Sequence, residues 1–382
     1  MQTSPSESGI ITAQNILKLP YYAVRGLLYH AAGTLYTPKP FAASFLITRR
    51  CNSKCIMCSD WKTGNSNGEM TLEEFQNVLA DPLLKDIKGV IFSGGEPTLR
   101  DDLVEIVQSA LNTNSKLKWI ALTTNGLMPE TVFEKVKSMS ELIEARSKNF
   151  LVTISIHGYG KIHERVVGIP GSFESVTRTI GMLKELQKKC YFDLRLCCVI
   201  QSLNIDNIQS LLDFSRESNL PLNFLPVCIS DAVFNNTAAR KQLALNSHML
   251  REPQFLNTMT QSNLANMVFW EDCVRIAQGH RRAVPCAMVR HFLMIDSDGT
   301  VFICARDSSL TYGNIRKASI GSIWHSEKAD ETRKRAEDAI CPGCNQRCNV
   351  DFALSHEFFY ILRYLTKQKL GKIIRRASGS ES

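Results

Sequence analysis

The 382-residue chain predicts an α/β fold: a partial (β/α)6 barrel with a small C-terminal domain, a β-hairpin plus helix organised around cysteines. Two observations lead there. Between residues 41 and 230, short apolar runs with strand character alternate six times with amphipathic stretches of helical period, the pattern of parallel strands with helices outside. After residue 283 that rhythm stops, and a hairpin and a group of cysteines take its place.

Taken in order, FAASFLIT (41–48) reads as a buried strand, and TLEEFQNVLA (71–80) as a helix opened by a capping box of Thr71 and Glu74. KGVIFSG (88–94) is a strand and DDLVEIVQSALN (101–112) a helix. KWIALTT (118–124) is a strand, and PETVFEKVKSM (129–139) a helix with Pro129 in its first turn. FLVTISI (150–156) and the helix SFESVTRTIGMLKELQKK (172–189) follow. DLRLCCVIQ (193–201), the helix NIQSLLDFSRES (207–218) and PLNFLPVCI (221–229) complete the series. Residues 292–304 form a hairpin turning at Asp298-Gly299, followed by a helical stretch near 318–337. The expected domains are 1–40, a polar tail and amphipathic helix; 41–230, the barrel; 231–283, a helical connector; 284–350, the cysteine domain; and 351–382, a basic helix and tail. In folds of this kind the chemistry collects at the carboxyl ends of the strands.

Composition narrows the class. Hydrophobic content of 44% and charged content of 21% are those of a soluble globular protein. The net charge of +8 favours an anionic partner, whether phosphorylated substrate, nucleic acid or anionic lipid. The start MQTSPSESG lacks a secretory signal, and the sequence has no apolar run long enough to span a bilayer. Thirteen cysteines in a chain without a secretory signal point to metal ligation rather than disulfides, and to a cytoplasmic location.

Cys51, Cys55 and Cys58 lie in one loop at the carboxyl end of the first strand, and the next cysteine is Cys190. Three thiolates can hold three irons of a cubane and leave the fourth iron open to a ligand, whereas a four-cysteine cluster mainly passes electrons. Read on its own, the loop also fits, as the lesser alternative, zinc or a closed cluster.

This Cys-x3-Cys-x2-Cys spacing, with FSGGEP (92–97) ending the second strand, resembles the radical S-adenosylmethionine (SAM) superfamily. The resemblance implies a [4Fe-4S] cluster on the three cysteines and SAM on its open iron. It further implies a SAM site made by Met57, Gly94, Gly95, Glu96, Pro97, Asn125, Ser155 and Arg165. Within it, Glu96 would accept from the methionine amino group, Met57 would stand at the adenine, and Arg165 of HERVVG would pair with the carboxylate. His157, in SIHG, departs from the SxDG of related sequences.

Cys286, Cys304, Cys341 and Cys344, with Cys348 as an alternative ligand, resemble the SPASM or twitch extension of that superfamily, which implies one auxiliary [4Fe-4S] cluster. On spacing alone the set also fits a zinc ribbon. Cys228, at the end of the sixth predicted strand, is a candidate hydrogen donor as well as a candidate core residue; Cys190, Cys197, Cys198 and Cys273 read as core or surface cysteines. HEFFYILRYLTKQKLGKIIRR (356–376) is an amphipathic basic helix that fits docking on the barrel or peripheral contact with an anionic membrane; no nucleic-acid recognition motif accompanies it. The expected activity is an oxidoreductase or epimerase acting on a small sugar-like or anionic molecule, supplied with electrons by a one-electron donor such as flavodoxin or ferredoxin. Modification of a ribosomal peptide is the alternative within radical chemistry, and an electron carrier or zinc scaffold the alternative outside it.

Overall fold

The computed structural model describes residues 37–346, except 64–67 and most of 246–263. Strands β1 (Ala42–Thr48), β2 (Gly89–Gly94), β3 (Trp119–Thr124), β4 (Asn149–Ser155), β5 (Asp193–Ile200) and β6 (Leu222–Pro226) pair in parallel, each with the next. Between them run helices α1 (Leu72–Leu79), α2 (Leu103–Thr113), α3 (Pro129–Glu144), α4 (Lys161–Val167), α5 (Ser172–Leu186) and α6 (Ile208–Ser218). This is the expected open partial barrel. β1 is buried on both faces, as parallel strands under helices are, and Phe45 packs against Phe75 of α1 and Phe92 of β2 with ring centroids 5.9 and 6.0 Å apart. The Thr71–Glu74 capping box forms as expected.

The hairpin differs from its expected setting. β7 (Phe292–Ile295) pairs in parallel with β1, and β8 (Thr300–Phe302) and β9 (Thr311–Asn314) continue antiparallel, so one sheet runs β6-β5-β4-β3-β2-β1-β7-β8-β9. β1 would otherwise present an unpaired edge, and β7 covers it. β9 is short and was not anticipated. The expected helical stretch near 318–337 divides into α8 (Ile320–Trp324) and α9 (Glu327–Arg335), each capped by a serine, Ser319 and Ser326. Arg333 of α9 is fully buried over the rings of Tyr312 and Trp324, 4.8 and 4.4 Å from their centroids.

The chain divides into two compact units. One holds the whole sheet, Lys39–Met249 with Met288–Ala336. The other comprises Met1–Pro38, Leu250–Ala287 and Glu337–Ser382 and includes helix α7 (Leu264–Ala277). Within this second unit Asp272 accepts from Ala283 N at 2.9 Å, and Arg282 donates to the carbonyl of Gln346 at 3.0 Å. The expected amphipathic segment 12–36, Cys348 and the basic helix 356–376 lie outside the described residues.

Candidate active site

The cysteine loop follows β1 at the carboxyl end of the sheet, and neighbouring backbone holds it from three sides. At the β2 end, Gly95 N donates to Thr48 O and Glu96 N to Arg50 O, both at 2.8 Å. A Cβ on Gly94 would stand 2.3 Å from Thr48 O, and one on Gly95 2.2 Å from Arg50 O. The two glycines therefore let the end of β2 press against the chain entering the loop, backbone on backbone. At the α4 end, Lys54 N donates to Val167 O at 2.9 Å and Ile56 N to Val166 O at 3.0 Å. Gly168 closes α4 in the left-handed conformation, and a Cβ there would meet Lys54 O at 2.8 Å. HERVVG thus places the loop through its backbone, a role that its arginine does not reveal.

The third side is the segment after β6. Asn236, 4% exposed, donates through Nδ2 to Met57 O at 2.8 Å and Cys228 O at 2.9 Å, and its Oδ1 accepts from Ser230 N at 2.9 Å. Ser230 Oγ donates to Ala305 O, beside Cys304. One buried amide therefore joins the cysteine loop to the segment carrying Cys228. That segment is fastened to the hairpin through Ser230.

Charged groups complete the support. Arg49 donates to Asp60 at 2.7 Å and to Asp296 of the hairpin, the latter through both Nε and Nη2. Asp60 is 4% exposed; burial pushes its carboxyl up, and the Arg49 guanidinium acts against that shift. Glu69 accepts from Thr48 Oγ1 at 2.6 Å and Arg49 N at 3.0 Å. None of Arg49, Asp60, Glu69, Asp296 or Asn236 belongs to a recognisable motif, and their sequence separations of up to 247 residues left no local signal.

The expected SAM-site residues fall around this loop in different ways. Asn125 directly follows β3 and donates from Nδ2 to Asn52 Oδ1 at 2.7 Å, with Cys51 Sγ 3.7 Å away. Glu96 is fully buried. Its Oε1 accepts from Thr98 N, Thr98 Oγ1 and Thr124 Oγ1, and its Oε2 from Asn125 N. The side chain is thus a clasp between the ends of β2 and β3, and Oε2 keeps a lone pair for a further donor. Pro97, also buried, opens the short turn Pro97–Leu99 behind it. Met57 lies in a buried apolar cluster with Val166, Val227 and Leu243, which orients its side chain into packing. Ser155 is half-buried opposite Cys197, whose other neighbour in register is Asn223. Arg165 is exposed on α4. Cys228 sits past the end of β6, because the strand stops at Pro226.

His157 is buried and its ring lies parallel to that of His163, centroids 6.3 Å apart. His157 N donates to His163 Nδ1, and His157 Nδ1 accepts from Val199 N. Burial lowers both imidazoles, His157 to about 3 and His163 to about 4, so both are neutral at physiological pH. The departure from SxDG is thus a neutral packed pair.

The cysteine loop fits an iron–sulfur cluster. Desolvation raises all three thiols, Cys51 to about 12, and their mutual repulsion raises Cys51 and Cys58 further. These thiols therefore stay protonated while the loop is empty, and three thiolates gathered there would need a bound metal group to balance their charge, which a cluster would supply. Cys58 N donates to Cys55 O at 3.1 Å, the tight turn of a Cys-x-x-Cys pair, and Cys344 N donates to Cys341 O at 3.0 Å in the same way. No trio of His, Cys, Asp or Glu among the described residues converges as on a single metal ion. A cubane asks for a different arrangement, one thiolate at each of separate corners. Of the second cysteine set, Cys286, Cys341 and Cys344 belong to one unit and Cys304 to the other. Cys273, expected as a core or surface residue, is buried with its thiol raised by desolvation and, to a smaller extent, by Cys344.

Comparison with known proteins agrees with this geometry. Residues 45–214 match the radical SAM superfamily, and residues 286–349 match the iron–sulfur cluster-binding domain SPASM. The "Probable GTP 3',8-cyclase" of Methanocaldococcus jannaschii is 29% identical over 172 residues, 45% of this chain and 53% of that one. The chain spans about half the length of the cyclases it matches. The "AdoMet-dependent heme synthase" of Methanosarcina barkeri is 22% identical over 340 residues, 81% of this chain and 93% of that one. Among solved structures, native anSMEcpe with bound AdoMet superposes with a TM-score of 0.58 at 18% identity, covering 86% of this chain and 98% of that one. Streptococcus suis SuiB bound to precursor peptide SuiA gives a TM-score of 0.56 at 16% identity, covering 92% and 80%. These two share the fold. With its three-cysteine loop on the first strand of a parallel partial barrel, the chain carries a radical SAM domain over residues 45–214 and a SPASM iron–sulfur cluster-binding domain over residues 286–349.

Proposed function

We propose that the chain is a radical SAM oxidoreductase or epimerase acting on a small anionic molecule, with one auxiliary [4Fe-4S] cluster. The observation that carries the reading is the loop of three half-buried cysteines held against the end of β2. A cluster with bound SAM supplies a one-electron cleavage that yields a 5'-deoxyadenosyl radical able to take a hydrogen atom from an unactivated carbon. The chain's own part is placement. Cys51, Cys55 and Cys58 would ligate the cluster, and Gly94, Gly95 and Gly168 allow the loop to seat. Glu96 holds Asn125 by its backbone N–H, which directs the Asn125 amide toward Asn52 and Cys51. Arg165 would meet the SAM carboxylate. Cys286, Cys304, Cys341 and Cys344 would hold the auxiliary cluster, with Cys348 in reserve. Cys228, beside the loop through Asn236, is the candidate donor for an epimerisation.

The anionic substrate is supported by the net charge of +8 and by the relatives, whose names specify GTP and heme. A peptide substrate is the second reading, favoured by the breadth of the likeness to anSMEcpe, also solved with a bound Cp18Cys peptide. Anaerobic reconstitution with SAM and dithionite tests the chemistry: 5'-deoxyadenosine and methionine should form in equal amounts, and their absence refutes it. Candidate substrates in deuterated water then separate the outcomes, since return of hydrogen from a thiol brings solvent deuterium into the product and net oxidation does not.

A further inference from the structure

The face of the sheet opposite the helices carries polar side chains that take no part in holding the fold together. Phe92, Leu122, Val152 and Leu194 run in register along the helix side, and all four are buried. Side chains alternate along a strand, so the residues between them lie on the concave side. There Thr123, Thr153 and Arg195 stand abreast on β3, β4 and β5, each half-buried. Neighbouring strands lie about 4.8 Å apart, so the three cover about 10 Å, a span that the long Arg195 side chain can shorten. Neither threonine hydroxyl has a hydrogen-bond partner among the described residues, whereas Thr124, on the helix side, is spent on Glu96. Asp193, the acid on this face, lies a row nearer the amino ends, opposite Leu151.

One row nearer the carboxyl ends, Asn223 of β6 stands opposite Cys197. Past Val199 the same face of β5 reaches Gln201, which is fully buried, and both its amide nitrogen and its amide oxygen lack a hydrogen-bond partner. A buried amide that bonds nothing destabilises a fold, so its presence points to a ligand that completes it. Apolar packing flanks these groups, Leu46 with Val233 and Phe302 at β1, and Val199 with Met57 and Val227 toward the carboxyl ends.

We propose that Thr123, Thr153 and Arg195 form an oxyanion seat for the phosphate or carboxylate of the substrate, with Asn223 and Gln201 reading hydroxyl groups beside it, so that the substrate is a hydroxylated anion of the sugar phosphate or sugar acid kind. Arg195 only donates and the threonine hydroxyls can donate, which matches an oxyanion that only accepts. An amide both donates and accepts, as a hydroxyl does. Asn125, 3.7 Å from Cys51 Sγ, follows Thr123 by two residues, about 6.6 Å along a parallel strand. The anion therefore lies one row below the cysteine loop, and the carbon presented to the loop is a near neighbour of the anionic group. The seat binds and orients; no bond forms or breaks there. The proposal rests on the small-anion reading given above and assigns it residues.

Anaerobic titration calorimetry of the full reconstituted chain tests it with ribose 5-phosphate, glucose 6-phosphate, GTP and gluconate, and with ribose, glucose and guanosine as neutral counterparts. At least one anion should bind saturably, about tenfold or more tighter than a neutral counterpart, and the tightest ligand tells a phosphate from a carboxylate. Arg195→Met and the nearly isosteric Thr153→Val should each weaken that binding about tenfold, while Arg178→Met, on α5 outside the barrel, leaves it unchanged. Gln201→Leu should weaken binding and raise the urea midpoint together, because it removes an unpartnered buried amide; a residue that only fills the core would move the midpoint alone. If Arg195→Met fails to fold, Thr153→Val, which keeps shape and charge, carries the test. Absence of binding by every anion, or equal binding of the neutral counterparts, overturns the seat and the small-anion reading together. Anion binding that survives both Arg195→Met and Thr153→Val overturns the seat and leaves the small-anion reading standing. Dithionite-driven cleavage of SAM without substrate judges the radical chemistry separately.

Discussion

Replacing Gly95 with alanine tests the claim that the glycines serve loop seating. The added Cβ would stand 2.2 Å from Arg50 O, 2.8 Å from Arg50 C and 2.9 Å from Arg49 O. All three atoms are backbone, so no side chain can rotate away. An ordinary carbon–oxygen approach is about 3.3 Å, so the loop entrance must move by roughly 1 Å. That movement strains the hydrogen bonds Gly95 N–Thr48 O and Glu96 N–Arg50 O, both 2.8 Å, each worth about 1 kcal/mol net. Overpacking a tight site adds about 1–3 kcal/mol. The expected loss is therefore about 3–5 kcal/mol, read as a lowered urea midpoint of the cluster-free chain. Iron content after reconstitution should fall with it, because the displaced residues lead directly into Cys51. Gly181→Ala is the matched control. Gly181 lies in α5 with open space where the Cβ would go, and alanine there should stabilise by about 0.5–1 kcal/mol. A Gly95→Ala protein within about 1 kcal/mol of the unaltered chain and with full iron would refute the reasoning.

Three further outcomes follow from the same geometry. Cys51→Ala, Cys55→Ala or Cys58→Ala should each abolish 5'-deoxyadenosine formation and the near-visible absorbance of the loop's cluster; retention of both would show that the cluster lies elsewhere. Asn236→Ala removes the donor to the buried Met57 carbonyl and the bond to the half-buried Cys228 carbonyl, and should cost about 2–4 kcal/mol by denaturant midpoint, with Asn236→Asp no better, since a carboxylate cannot donate. His163 has its folded value lowered to about 4 against an ordinary 6.5, so the unfolded chain binds more protons between those values and stability falls as pH drops through that window. His163→Asn, which keeps a hydrogen-bond acceptor, should remove on the order of 2 kcal/mol of the loss between pH 7 and pH 5, and an unaltered pH profile would count against the neutral buried pair.

Much of the barrel was legible because its signals are local. Strand and helix periods lie within windows of about ten residues, and the capping box at Thr71 spans four positions. β6 came out shorter than expected because the apolar run LPVCI continues past Pro226, where pairing stops, and apolar character cannot distinguish a strand from a buried loop. α4 was missed within HERVVG, although Gly168 followed by Pro170 is a readable helix stop. Glu96 was located by its motif, but its clasp was not legible there. GGEP marks the place, whereas two of the groups that bond its carboxylate lie 28 and 29 residues on, at the end of β3.

By itself the sequence settled the order of strands and helices, the loop of three cysteines at the end of the first strand, and the cysteine-bearing C-terminal segment, because each is encoded in neighbouring residues. Only the tertiary structure decided that the hairpin extends the barrel's own sheet beside β1, that Asn236 and the Arg49–Asp60–Asp296 group hold the cysteine loop, and that Glu96 is a clasp. Those contacts join residues far apart in the chain, and a hydrogen bond or ion pair forms where the fold brings donor and acceptor within about 3 Å, whatever their separation in sequence.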